Sequence, residues 1–235
     1  MKTRLVLLFT LLSLVGFSQD NVVKFNLSGV TYGMYSLGYE RGITPKSSIN
    51  VSLGYWNVNA GLLNNSSFDF GDGFGIDSYN YGLNGVIDYR FYVGNTEERN
   101  GLYIGPYVRF WNHSMDMYDE INGVDFDINA KVSSIGLGFQ MGYHWIINKK
   151  LSIDWYFIGL GAERMNIGLE YIAKVSGYTY TGNQDIQDDI KDVFNDFEYL
   201  QKRISTEATP NKNTTAKLPF FAPGIKTGFS IGYAF

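Results

Sequence analysis

SSIGLGFQMGYHWII, residues 133–147, alternates from end to end. Ile135, Leu137, Phe139, Met141, Tyr143, Trp145 and Ile147 take one phase; Ser134, Gly136, Gly138, Gln140, Gly142 and His144 take the other. A period of two belongs to a β-strand, whose successive side chains point to opposite faces. One face is bulky and apolar, the other small and polar.

The same pattern spreads in both directions. KLSIDWYF (150–157) follows across the tight turn INKK, with Leu151, Ile153, Trp155 and Phe157 opposite Ser152, Asp154 and Tyr156. Upstream, YNYGLNGVIDYRFYV (79–93) and GLYIGPYVRF (101–110) are joined by the short polar GNTEERN, and YSLGYER (35–41) and SSINVSLGYW (47–56) by TPKS. VVKFNLS (22–28) and the terminal GFSIGYAF (228–235) complete eight segments. The connections at 44–47, 94–100 and 147–150 are short, whereas those at 58–77, 115–126 and 176–217 are long. Short turns at one end and long loops at the other are the organisation of an outer-membrane barrel. Pro106 calls for a bulge, because a closed barrel has no edge strand where a missing N–H is harmless; the final strand is expected to begin after Pro223.

Bulk properties narrow the class. Residues 1–18 read as a secretory signal peptide, with Lys2 and Arg4 before the apolar run Leu5–Phe17, leaving a mature domain over 19–235. Its removal takes two positive charges from a chain of net charge −4, and this acidity argues against nucleic acid as a partner. The chain has no cysteine, so disulfides and thiolate metal sites are excluded. Aromatics reach 17% and glycines number 27, yet no second long apolar run exists. Any membrane signal therefore lies in alternating strands rather than in helices.

Alternation alone fits a lipocalin-type soluble barrel turned inside out. Charge sorting separates the two. Lys24, Glu40, Asp88, Arg90, Arg109, Asp154 and Lys226 all fall on the small-residue phase, with Arg41 the main exception. A charge at mid-bilayer on the lipid face costs roughly 2–4 kcal/mol for Arg or Lys, so the bulky face is assigned to lipid and the charged face to the lumen. Tyr55, Tyr79 and Tyr81 are expected in one aromatic girdle, and Tyr89, Phe91, Tyr143, Trp145, Tyr233 and Phe235 in the other. The fold expected is all-β: an eight-stranded antiparallel transmembrane up-and-down β-barrel.

With these segments the chain resembles the small OmpA- and OmpX-type outer-membrane barrels. The resemblance implies outer-membrane localisation and a lumen closed by paired charges. It also implies that Phe229, Ile231, Tyr233 and Phe235 form a C-terminal signal recognised by the barrel-assembly machinery. Outer-membrane lipid is then the second expected partner.

QDIQDDIKDVFNDFEYLQKRI carries Ile186, Ile190, Val193, Phe197, Leu200 and Ile204 at helical intervals, with aspartates between. This predicts an amphipathic helical insertion over about 183–206 in the last external loop, capping the barrel, meeting an extracellular or surface partner through loop 176–217, or resting on the outer leaflet. The following STEATPNKNTTAK reads as a flexible polar return.

No catalytic, cofactor or metal set emerges. His113 and Ser114 stand near the acidic SMDMYDE, but adjacent strand residues face opposite ways. His144 reads as a lumen hydrogen-bonding residue. Asp69, Asp72 and Asp77 among glycines lack EF-hand spacing. Glu40 is expected to pair with Arg90 or Lys24. The functional expectation is a non-enzymatic membrane protein with a structural or surface-interaction role. A narrow channel for small or apolar solutes is the alternative, and a lipid-modifying enzyme the third reading.

Overall fold

A computed structural model describes residues 21–57, 75–93, 99–121, 124–173, 205–208 and 213–235. The strands are β1 (Asn21–Asn26), β2 (Met34–Thr44), β3 (Ser47–Trp56), β4 (Gly75–Tyr92), β5 (Gly101–Ile121), β6 (Val124–Ile147), β7 (Leu151–Ala173), β8 (Ser205–Ala208) and β9 (Asn213–Ala234). A short 3-10 turn, Val30–Tyr32, links β1 to β2. Eight strands form an antiparallel ring in the order β1-β2-β3-β4-β5-β6-β7-β9, closed by pairing of β1 with β9. β8 lies outside the ring and pairs with Thr214–Lys217 of β9.

Both described termini sit at the short-turn end. Asn21 and Phe235 exchange backbone hydrogen bonds of 3.2 and 2.9 Å, and Ala234 N–H donates to the Lys150 carbonyl. The turn between β6 and β7 places Asn148 and Lys149 at φ 52° and 58°. Two consecutive left-handed residues are the geometry of a type I′ hairpin, whose twist matches its strands.

The facing of the side chains follows the alternation. Leu137 and Phe139 are 68% and 71% exposed on the outside, whereas Glu40, Asp88, Arg90 and Asp154 are at most 1% exposed in the lumen. Lumen-side glycines make room for large inward side chains. A Cβ at Gly142 would collide with the Tyr103 hydroxyl, and one at Gly136 would lie 2.5 Å from Glu163 Cγ.

Several expectations are corrected. The region 115–126 is not a long loop, because β5 and β6 continue until Ile121 pairs with Val124. Only Asn122 and Gly123 separate the two strands in sequence. Pro106 brings no register shift: Asp88–Tyr107 and Phe91–Ile104 keep one register, and the pairs opposite Gly105 and Pro106 are dropped from that ladder instead. The last strand runs through Pro223 and back to Asn213. The polar return after residue 204 forms the β8–β9 ladder. The signal peptide and most of the helical insertion lie outside the described residues; the last two residues assigned to that insertion, Ser205 and Thr206, are in strand β8.

The remaining correction carries the most weight. Below Tyr156 the even residues of β7 face inward; above it, Gly159 and Glu163 are buried while Ile158 and Leu160 are exposed. Register shifts against both neighbours, between Met141 and Tyr143 on β6 and between Tyr156 and Gly159 on β7, mark a β-bulge at Phe157–Ile158. The extra residue inverts the phase of the strand above it.

Candidate functional site: ion lattice and cavity of the lumen

Each lumen charge is placed by strand phase, so charges distant in sequence meet across the ring. Glu40 of β2 accepts from Lys24 of β1, and its Oε2 lies 3.0 Å from Arg90 Nη1 of β4. Its other oxygen accepts from Ser48 Oγ at 2.6 Å and from the Tyr92 hydroxyl at 2.7 Å. Asp154 of β7 accepts from Lys24 at 2.7 Å, from Arg90 Nη1 at 2.6 Å and from the Tyr103 hydroxyl at 2.8 Å. Asp88 accepts from Arg90 Nε at 2.5 Å and from Asn50 Nδ2 at 2.8 Å. Burying charge is costly unless it is paired and hydrogen-bonded. Here each carboxylate has at least two donors.

Aromatic rings and a histidine complete this floor. The Arg90 guanidinium stacks 4.5 Å from the Tyr103 ring centroid, and His144 bridges the Tyr92 hydroxyl at 2.9 Å and Ser152 Oγ at 2.8 Å. Lys226 donates to Gln140 Oε1, lies 3.7 Å from Asp88 Oδ2 and sits over the Tyr156 ring.

Arg109 does not join this cluster. It lies higher in the lumen and pairs with Glu163, which also accepts from Ser134 Oγ at 2.9 Å. Sequence reasoning missed Glu163, because unbroken alternation from KLSIDWYF points it outward. The bulge at Phe157–Ile158 brings it inside. With Glu163, four acidic side chains, Glu40, Asp88, Asp154 and Glu163, lie in ion-pair range of four basic ones, Lys24, Arg90, Arg109 and Lys226.

Above the ion lattice the lumen is open rather than filled. A cavity of about 700 Å³ lies between Lys24, Arg90 and Asp154 below and Trp56 and Trp111 above. The two indoles are 6.1 Å apart, and Trp56 stacks 4.2 Å from His113. Small residues such as Ser36, Gly38 and Ser52 line this middle layer. His113 binds Asn80 Oδ1 through Nε2 inside the barrel, while neighbouring Ser114 falls on the outward phase. Asp69 and Asp72 lie outside the described residues. Among the described residues no His, Cys, Asp and Glu group is arranged to hold a metal.

Phe229, Ile231, Tyr233 and Phe235 all project outward, 36% to 54% exposed. Their backbone groups face β1, as the bonds from Leu27 N–H to the Phe229 carbonyl and between Phe235 and Asn21 show.

The fold and lumen define a closed eight-stranded up-and-down β-barrel with an ionic floor and an apolar exterior. The chain belongs to a family described as a protein of unknown function (DUF3575), whose model matches residues 4–185. No curated protein matches it. A similar solved structure is a major outer membrane protein from Thermus thermophilus, at 13% identity, 92% coverage of this chain, 98% of that chain and a TM-score of 0.34.

Proposed function

We propose that the protein is a non-enzymatic outer-membrane barrel, crossing the bilayer with its eight-stranded ring and engaging surface partners through its long-loop end. The observation that carries this is the uninterrupted apolar exterior. On β6 the outward residues from Ile135 to Trp145 are all apolar or aromatic. About ten residues at about 3.3 Å each, tilted near 40°, stand roughly 25 Å tall, the height of a transmembrane apolar band. Outward charges flank it: Arg164, paired with Ile135, marks its upper edge and Lys131 lies beyond on the long-loop side, with Arg41 and Lys150 on the short-turn side.

The ion lattice supports a barrel without a through-passage, since Arg90, Tyr92, Tyr103 and His144 knit its floor from several strands. The strands β5–β7 and β9 rise well past the apolar band. These extensions are the proposed docking surface for a partner, with residues 176–204, whose Ile186, Ile190, Val193 and Phe197 recur at helical intervals in the sequence, lying outside the described residues. Lipid, and the assembly machinery reading Phe229 to Phe235, are the other partners in this reading.

Heat-modifiable electrophoretic migration with outer-membrane fractionation tests the class. Recovery in the soluble fraction would refute it. In planar bilayers the protein should be silent; reproducible stepwise currents would favour the channel reading.

A further inference from the structure

Among the described residues, the wall of the barrel is incomplete beside the cavity. β9 pairs with β7 from Asn213 to Tyr233. On its other side it pairs with β1 only over Ser230–Ala234 and with β8 only over Thr214–Lys217. Among the described residues, no strand pairs with this edge over Leu218–Gly228. β1 stops at Asn26, and the chain leaves the wall through the 3-10 turn before β2 starts at Met34. A notch results between β9 and the Ser28–Met34 corner.

The edge is adapted to being unpaired. Backbone groups of the odd residues of β9 point toward β1, as those of Phe229 and Phe235 do. Pro219 and Pro223 share that parity, so two of the free-edge N–H groups do not exist, the usual placement of proline on an exposed edge. The Ile225 carbonyl, on the same side, is taken by Arg109 Nη1 at 3.0 Å.

The cavity runs through this notch. Its lining includes lumen residues Arg90 and Asn84 together with Ile225 and Phe229, whose side chains project from the outer apolar surface. Inside it, buried polar atoms remain without partners: Arg109 Nε and Asn84 Nδ2, both donors, and Asn50 Oδ1 on a residue only 5% exposed. Arg109 and Asn84 occupy diagonal positions on paired strands, since Asn84 pairs with Trp111 and Val86 with Arg109. Unpartnered buried donors are costly, and a cavity of this volume with a few polar groups in its wall has the size of a small-molecule site.

We propose that the cavity binds a single-chain amphiphile with a carboxylate head, entering from the membrane through the notch. The carboxylate accepts from Arg109 Nε and Asn84 Nδ2. The alkyl chain leaves over Ile225 and Phe229 to the apolar exterior. The indoles of Trp56 and Trp111 close the cavity from above, and the ion lattice prevents passage below. The inference rests on the membrane placement proposed above.

The test uses a Trp145→Phe, Trp155→Phe variant of the full chain in phosphatidylcholine vesicles, leaving Trp56 and Trp111 as the fluorophores. Brominated stearate should quench their emission saturably, whereas brominated phosphatidylcholine should not. Ser52→Phe, which fills the cavity, and Asn84→Ala should each weaken the stearate effect, and a brominated alkylammonium of equal length should bind poorly. Heat-modifiable migration of every variant checks the barrel itself. If it is lost in the parent protein, the membrane reading fails. If it is retained but stearate does not quench, or quenches Ser52→Phe equally, the site does not exist and contact is with surrounding lipid alone.

Discussion

Arg90 of β4 donates from Nη1 to Asp154 Oδ2 of β7 at 2.6 Å, joining two strands that are not neighbours in the ring. A contact across the lumen braces the barrel as hydrogen bonds along its wall do not. Lys24 adds a second cross-tie to the same carboxylate and to Glu40.

Removing one member of this lattice should therefore cost more than a surface pair would. Glu40→Gln leaves Lys24 and Arg90 short of a negative charge at full burial, a loss of about 3 kcal/mol. The folded, fast-migrating form should disappear at lower urea, and Asp154→Asn should behave alike. Unchanged midpoints for both would refute a structural role for the lattice.

The upper pair should matter less. Arg109 is 23% exposed at its side chain, so solvent screens its attraction to Glu163. Glu163→Gln is expected to cost about 1 kcal/mol. A double-mutant cycle with Arg109→Gln should return a coupling of that order, and a coupling as large as that of Glu40 with Arg90 would contradict it.

The bulge on β7 can be tested by deletion. Without Ile158 the strand above would change phase, turning Glu163 toward the outside and Arg164 toward the lumen. The part-buried Arg109–Glu163 pair would be lost, and Glu163 would face the upper edge of the apolar exterior, at a cost below the roughly 2–4 kcal/mol of an Arg or Lys at the bilayer midplane. The deletion should abolish the heat-modifiable form, whereas Ile158→Val should retain it. A folded deletion variant would show that Glu163 owes nothing to the bulge.

Restoring N–H groups to the free edge of β9 should make it adhesive. Pro219→Thr with Pro223→Thr supplies two donors on an edge that no described strand pairs with, the condition that invites edge-to-edge pairing. Cross-linking in vesicles should reveal dimers absent from the parent protein. Purely monomeric behaviour would mean that the edge is already covered.

Phe235 closes the ring through its backbone and ends the outward aromatic row. Deleting it should leave more unassembled, protease-sensitive protein in pulse-labelled cells, while Phe235→Tyr should assemble nearly normally. Equal assembly of the deletion would remove the case for a terminal signal.

Much of this architecture is legible in the chain alone, because alternation is local. Ile135 to Ile147 states which side chains share a face, and the confinement of Lys24, Glu40, Asp88, Arg90 and Asp154 to the other phase states which face is inside. The order and pairing of the strands follow from that period and the short turns at Pro45 and Asn148, whereas the upward extension of β5, β6 and β9 does not. Partnership across the lumen is different, since Arg90 meets Asp154 only once ring size and stagger are set, and neither is written in one strand. Glu163 was invisible because a single extra residue at Phe157–Ile158 inverts the phase of everything after it. The notch beside β9 likewise required the tertiary structure: it arises from a mismatch in length between β1 and β9, and only a closed ring makes those two strands neighbours.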